Sequence, residues 1–210
     1  MLTFESQIRQ EGFDFVIGID EAGRGPLAGP VVASAVLLKQ TDFHSPIRDS
    51  KKLSSKQRET AFEEIGQKAY VGVGIVSESV IDEANILRAA FMAMEGAVLD
   101  LVRQLPGDVS SQNDFSKKVC LLVDGNQFIS ALPYAYRTIV KGDEKVFSIS
   151  AASIIAKVTR DRMLDIYDRI FPEYGFQKHK GYPTLAHRSA IKTHGMSPIH
   201  RKTFSKKFCG

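Results

Sequence analysis

Near the start of this 210-residue chain, Val16-Ile17-Gly18-Ile19-Asp20-Glu21-Ala22-Gly23-Arg24-Gly25-Pro26 constrains the fold more than any other stretch. The short apolar run from Phe15 to Ile19 reads as a buried strand. It ends in two adjacent carboxylates and then breaks into a glycine-rich loop. An Asp at the end of a hydrophobic strand is costly to bury unless something positive meets it there. A structural Arg or Lys, a set of backbone N–H groups and a metal ion are the candidates. The glycines let backbone amides approach a ligand that a Cβ would keep away. Carboxylates beside an amide nest suit a place where a metal meets a phosphate. The stretch is therefore expected to be half of a phosphodiester-cleaving site.

The rest of the chain must supply the other half. Pro30 to Leu38 is again strand-like, so residues 13–38 read as two adjacent strands joined by the glycine loop. Ser54-Ser55-Lys56-Gln57 has capping-box spacing and should open a helix to about Ala69. Tyr70 to Val76 reads as a third strand, with Gly72 and Gly74 leaving one face smooth. Leu87, Phe91, Met94, Val98, Leu101 and Leu105 predict a long amphipathic helix over 84–105, and the polar stretch to Lys118 reads as a surface loop. Val119 to Val123 and Tyr136 to Val140 are the fourth and fifth strands. A second long helix is expected over 148–170, with a stripe of Ala152, Ile155, Ala156, Thr159, Met163, Ile166, Tyr167 and Ile170, and a short helix over 184–194. Strands followed by strands alternating with long helices make the class α/β, with a mixed sheet.

Three strands end alike, in an apolar run, a carboxylate and a glycine-containing loop: Ile19-Asp20, Val123-Asp124, and Val140 with Asp143 three residues on. One such Asp is usually a turn former, and Asp124-Gly125-Asn126 alone reads equally as an ordinary turn. Three in one small domain, with Glu21 in addition, point to convergence at the sheet's edge. Like charges sharing a site repel and need a cation to hold them together. All the donors would be hard oxygens and no Cys/His set has zinc spacing, which points to Mg²⁺ or Mn²⁺. Two such ions about 4 Å apart can serve an in-line displacement at phosphorus.

Charge is distributed unevenly. Residues 174–210 hold eight Lys or Arg, four of the five histidines and no acid, which leaves 20 basic against 24 acidic side chains in residues 1–173. Clustered Lys and Arg suit a polyanion surface. The apolar Tyr182, Leu185, Ile191 and Phe204 argue that the segment packs on the body, so the two stretches are expected to work as one unit. The opening MLTFESQIRQEGF lacks the apolar core of a secretory leader, and no run approaches the roughly 20 residues needed to span a bilayer. Two cysteines, Cys120 and Cys209, fit a reducing compartment. A cytoplasmic protein without a membrane partner is expected, and the lack of any association seam suggests a monomer.

The stretches Asp20-Glu21-Ala22-Gly23-Arg24-Gly25-Pro26-Leu27, Asp49-Ser50-Lys51-Lys52-Leu53-Ser54, Val123-Asp124-Gly125-Asn126, Lys141-Gly142-Asp143, residues 150–161 (SAASIIAKVTRD) and His179-Lys180-Gly181-Tyr182-Pro183-Thr184 occur in that order. Together, over about residues 15–205, they resemble bacterial ribonuclease HII. The resemblance implies a ribonuclease-H-like sheet flanked by helices, with a basic helical C-terminal segment. It implies endonucleolytic hydrolysis of the RNA strand of RNA–DNA hybrids and of single ribonucleotides embedded in duplex DNA. The cut would fall on the 5′ side of the ribonucleotide and leave 3′-hydroxyl and 5′-phosphate ends. Asp20, Glu21, Asp124 and Asp143 match the four acids that hold Mn²⁺ or Mg²⁺ in that family. Asp161 competes with Asp143 for the fourth place, although its position one turn after Lys157 suits a structural ion pair.

Gly23-Arg24-Gly25 resembles the family element whose backbone reads the 2′-hydroxyl, the handle that tells RNA from DNA at one position. Tyr182 matches the tyrosine that packs at the ribonucleotide-to-DNA step, and Lys51, Lys52, Lys180 and Arg188 suit phosphate contacts. Ser153 is assigned to close helix packing, without chemistry. The histidines fit no zinc pattern and are expected at the surface or against phosphate. Three other readings compete: a non-catalytic duplex binder, another metal nuclease of the same fold, and the sister type, ribonuclease HIII.

Overall fold

An apolar run wanted on both faces belongs in the middle of a sheet, and the Phe15 run lies there. The computed structural model describes residues 3–110 and 114–208, so Cys209 lies outside the described residues. Helix α1 (Thr3–Gln10) precedes β1 (Phe15–Ala22), and β2 (Val31–Leu38) folds back antiparallel on it. Then come α2 (Ser55–Lys68), β3 (Ala69–Val76), α3 (Glu78–Ala84), α4 (Ile86–Gln104) and a short α5 (Gly107–Ser110). β4 (Val119–Asp124) and β5 (Ala135–Ile139) lead through α6 (Gly142–Lys145) to the long α7 (Phe147–Ile170). The chain ends with α8 (Phe176–His179), α9 (Leu185–His194) and α10 (Lys202–Ser205). The sheet order is β3-β2-β1-β4-β5, with β4 parallel to both β1 and β5 and the other pairs antiparallel. The mixed sheet is as the strand pattern predicts.

Helices cover both faces. On one, Phe91, Met94, Val98 and Leu101 of α4 pack over Ile17, Ile19 and Ala33. On the other, Ala151, Ile154, Ile155 and Val158 of α7 pack with Val36 and with Ile65 of α2. The smooth face expected of Gly72 and Gly74 is used: a Cβ at either would lie about 2 Å from the carbonyl oxygen of Ala97 or Ala93. The backbone of α4 thus rests directly on β3. Asp100 and Gln104 of α4 also bond Val73 N and Val71 O, which closes an edge strand that would otherwise offer itself for pairing.

Several local expectations need correction. The capping box at Ser54 forms as read, but α4 begins at Ile86. Asn85, at φ 69°, breaks it from α3, and its side chain accepts from the Leu87 and Arg88 amides. The stretch before Lys118 is not all surface loop, because Phe115 is buried against Phe15 and Tyr134. The α7 stripe fails at its C-terminal end, where Ile166 and Ile170 are exposed and Arg160 and Leu164 are buried in their place. There the helix faces the C-terminal segment, and Leu164 joins Ala28, Tyr174, Phe176 and Ile199 in a separate small core. Within that segment Ile191 is buried, but Leu185 is 82% exposed. At the other end of α7, Glu5 is a buried acid that no sequence pattern announces; it accepts from the Ser148 amide at 2.8 Å and caps the helix from α1.

The histidines were expected at the surface, and two of them are buried. His187 Nδ1–H donates to the Tyr182 carbonyl (2.9 Å), so His187 Nε2 must accept from His200 Nε2–H (3.0 Å), and His200 Nδ1 then accepts from the Ser197 amide (2.9 Å). This relay has no room for another proton. Burial pushes both rings down from the usual 6.5 to about 4. A histidine depressed in the folded state stabilises it above the unfolded value and ceases to do so as pH falls through the folded one. The thermal midpoint is therefore expected to fall between pH 6.5 and 4. His200→Gln should flatten that fall in a calorimetric pH series, and an equally steep fall would show that other groups cause it.

Candidate active site

β1 and β4 are parallel neighbours, with Ile19 opposite Val123. The next residue of each, Asp20 and Asp124, therefore stands at the same level of the sheet, Asp20 still paired with Ser34 of β2 and Asp124 with Ile139 of β5. Asp20 is 5% exposed, and its Oδ1 accepts from the Glu21 amide at 2.7 Å. Asp143 arrives from β5. Lys141 takes a left-handed conformation that turns the chain, and the Gly142 amide then donates to Asp124 Oδ1 at 2.7 Å. Gly142 has to be small, because a Cβ there would meet Ile149 at 2.6 Å. Asp143 follows it, 6% exposed, and accepts from Lys51 Nζ at 3.3 Å.

These carboxylates burden one another. Asp20 is pushed well above the usual carboxylate range by burial, then by the charges of Glu21 and Asp124. Glu21 is raised by burial, against the pull of Arg24, and Asp124 is raised by burial and by Asp143. Among the described residues no three acids are gathered as tightly as around a bound ion. The donor chemistry fits a hard divalent metal: oxygen only, several charges, and no soft ligand nearby.

Asp20, Glu21 and Asp124 line a cleft of about 250 Å³; Asp143 is not in its lining and meets it through Lys51, which is. Glu21 accepts from Arg24 Nη1 at 3.3 Å, and Gly23, Arg24 and Gly25 form one wall. Tyr182, 44% exposed, stands against Gly25. Lys51 enters because the turn at 50–52 docks on α7 through Ser50 Oγ and Ser153 Oγ, 3.0 Å apart. Ser153, assigned only to packing, thus lines the cleft, and its hydrogen bond counteracts the upward shift of Asp20. Lys157 and Arg160 line it too and were missed. Their signal was two basic residues one turn apart on a helix otherwise apolar through its first half.

Other expected residues lie elsewhere. Lys52 pairs with Glu144 at the surface (2.9 Å). Lys180 turns its side chain to Asp165 on α7 and offers only its carbonyl to Arg160. Arg188 bonds the Pro183 carbonyl and lies over the Phe208 ring, beside a neighbouring groove that Gly25 and Leu27 also line. Asp161 pairs with Lys157 at 2.7 Å, as its spacing predicts, and does not line the cleft.

The family model for ribonuclease HII matches residues 17–207. The chain belongs to the ribonuclease HII family. Ribonuclease HII of Acholeplasma laidlawii is 46% identical over 97% of this chain and 94% of its own. That of Syntrophus aciditrophicus is 50% identical over 97% and 90%. The structure of ribonuclease H2 from Pyrococcus horikoshii superposes with a TM-score of 0.68 at 28% identity, covering 92% of this chain and 96% of that one. Membership makes the chain a hydrolytic endoribonuclease that acts on RNA–DNA hybrids, in a divalent-metal-dependent family. Ribonuclease HII is the family matched along this length. Among the described residues no helix is long and apolar enough to cross a membrane.

Proposed function

We propose that this ribonuclease HII cuts on the 5′ side of ribonucleotides, in hybrids and singly embedded in duplex DNA, to leave 3′-hydroxyl and 5′-phosphate ends. The observation that carries this is one cleft shared by the strand-end acids Asp20 and Asp124, the glycine wall and Tyr182. Asp20, Glu21, Asp124 and Asp143 would hold Mn²⁺ or Mg²⁺. Two such ions, when bound, supply Lewis acidity and charge neutralisation at phosphorus. Gly23 and Gly25 let the loop backbone reach the ribose, and Tyr182 offers a flat surface to the nucleotide beyond it. Lys51, beside Asp143, suits a phosphate contact, as do Lys52 and Arg188 nearer the rim, while Lys180 would have to leave Asp165 to make one. Water adds to phosphorus and the P–O3′ bond breaks, so the proton and the leaving oxygen end as the 3′-hydroxyl. Tyr182 of the 174–210 segment lines the same cleft as Asp20 and Asp124, which supports the two stretches working as one unit, and a monomer is the form proposed.

The test is a duplex holding one ribonucleotide, incubated with Mn²⁺ or Mg²⁺ and mapped at its ends. One cut 5′ of the ribonucleotide is expected, lost in Asp124→Asn. Equal cutting of an all-DNA duplex, or an active Asp124→Asn, would overturn the reading.

A further inference from the structure

Two arginines, Arg160 of α7 and Arg201 of the basic C-terminal segment, are buried behind the glycine wall. Arg201 makes six side-chain hydrogen bonds, all to backbone carbonyls: Gly23, Arg24, Pro26, Pro30 and, twice, Gly29, at 2.6 to 3.2 Å. Arg160 makes three, to Pro30, Ala28 and Lys180, at 2.9 to 3.0 Å. The Arg201 amide takes the Leu27 carbonyl at 2.8 Å. From Gly23 to Pro30, only the Gly25 carbonyl lacks such a partner among the described residues. The amides are treated oppositely. Leu27 N and Gly29 N bond the C-terminal segment, but the amides of Gly23, Arg24 and Gly25 find no acceptor among the described residues.

Burying two guanidinium groups beside one another is expensive, and among the described residues no direct ion pair offsets it. Glu78 and Asp82 contribute only at longer range. Asp82 instead accepts from the Lys202 and Thr203 amides, which fixes the start of α10 and with it the direction of Arg201. Charged donors on carbonyls are strong and directional, so the loop is held from behind by everything that points backward. A peptide whose carbonyl is fixed has its N–H fixed on the opposite side.

We propose that Arg201 and Arg160 are positioning residues for substrate choice: by fixing the carbonyls of Gly23 and Arg24, Arg201 aims the amides of the same two peptides, those of Arg24 and Gly25, into the cleft toward the ribose. Arg160 braces the loop behind Gly23 and at Ala28 and Pro30, and the Gly23 amide is set by the Ala22 peptide at the end of β1. This rests on the reading of that loop as the ribose-gripping element. It also gives the C-terminal segment a task besides binding phosphate, since that segment supplies Arg201. Gly23 is small partly for the same reason, because a Cβ there would sit 2.3 Å from Arg160 Nε.

The test compares binding of duplexes with and without one ribonucleotide, in the Asp124→Asn background so that nothing is cut. With the loop unsubstituted, hydrogen exchange should be fast at the amides of 23–25 in the free protein and slow at Leu27 and Gly29. Protection at 23–25 should appear with the ribonucleotide duplex and not with all-DNA. Arg201→Lys and Arg160→Lys should each shrink the preference for the ribonucleotide duplex by about tenfold, the worth of one charge-assisted hydrogen bond, and each substitution made alone, with Asp124 intact, should leave Mn²⁺ binding as in the unsubstituted protein. A lower thermal midpoint with an unchanged preference would make both arginines merely structural and overturn the proposal. So would amides 23–25 that are already protected in the free protein, which needs no variant to observe. If the unsubstituted protein shows no preference between the duplexes, the reading of the loop itself fails, a different result from loss of preference in the variants alone.

Discussion

Asp20→Asn is expected to abolish cleavage and at the same time to raise the thermal midpoint of the metal-free protein. The side chain is buried at the end of β1, beside the charges of Glu21 and Asp124. Asn has the same shape and can keep the bond from the Glu21 amide, so nothing needs to repack. Loss of one carboxylate from a metal-holding set should cost roughly 10³-fold or more in rate, since the bound cation carries several kcal/mol of transition-state stabilisation. The stability gain has the opposite origin. Folding forces a carboxylate into a place that disfavours its charge, so the folded-state pKa lies above the unfolded value of 3.8. A group raised in that way favours folding most below the unfolded value, and this benefit is lost as pH rises through the folded one.

Wild-type and Asp20→Asn proteins should therefore have similar midpoints near pH 4 and diverge upward of it, with the variant the more stable at pH 7. The histidine relay acts in the reverse direction but is common to both proteins, so the difference between them isolates Asp20. Added Mn²⁺ should raise the wild-type midpoint and close the gap. Scanning calorimetry of both proteins with and without metal checks this. A variant that cuts, or one less stable than wild type at pH 7 without metal, would show that Asp20 is not a strained metal-holding acid.

What the sequence made legible is what adjacent residues decide. The Phe15 run, the Ser54 capping box, the α4 stripe and the paired glycines of β3 each carry their own local reason, and each forms, with β1 running on to Ala22 and α4 starting two residues later than read. The strand-end acids were legible because an Asp after an apolar run violates burial rules in plain view. Arg160 and Arg201 were not. As residues they are long, charged and placed in basic or polar surroundings, and what buries them is a set of carbonyls that, Lys180 apart, lie 130 or more residues away in sequence. No composition or periodicity reports a backbone carbonyl. The histidine relay failed to show for the same reason, since its partners are mostly peptide groups. Lys180 was misplaced because a lysine beside a tyrosine in a basic motif looks aimed at phosphate, whereas Asp165 holds it from α7. The α7 stripe broke down where two different surroundings meet one helix: sheet at one end, C-terminal segment at the other.

The two glycines of the reading loop should separate under alanine substitution, although they look alike in sequence. Gly23 sits at φ +104°, and a Cβ there would lie 2.3 Å from Arg160 Nε and 2.8 Å from the Pro30 carbonyl oxygen. Gly23→Ala must therefore strain the backbone, at about 1–3 kcal/mol, and displace the arginine, so its thermal midpoint should fall along with its cleavage. Gly25 has no positive φ, and a Cβ there would meet only the edge of Tyr182 at 3.6 Å, an ordinary van der Waals distance. The folded protein has no use for that missing methyl group. Gly25→Ala should keep the wild-type midpoint and Mn²⁺ affinity, yet lose cleavage of the single-ribonucleotide duplex by roughly 10²-fold, because an ångström of misplacement at a reacting centre costs about that much. Calorimetry, metal titration and rate measurement on the one variant separate the possibilities. Wild-type cleavage by Gly25→Ala would mean that no ribose comes close to this backbone, and the loop would then be a turn that Arg201 merely holds together. Loss of cleavage in a protein otherwise unchanged would mean that the space at Gly25 is kept for the substrate.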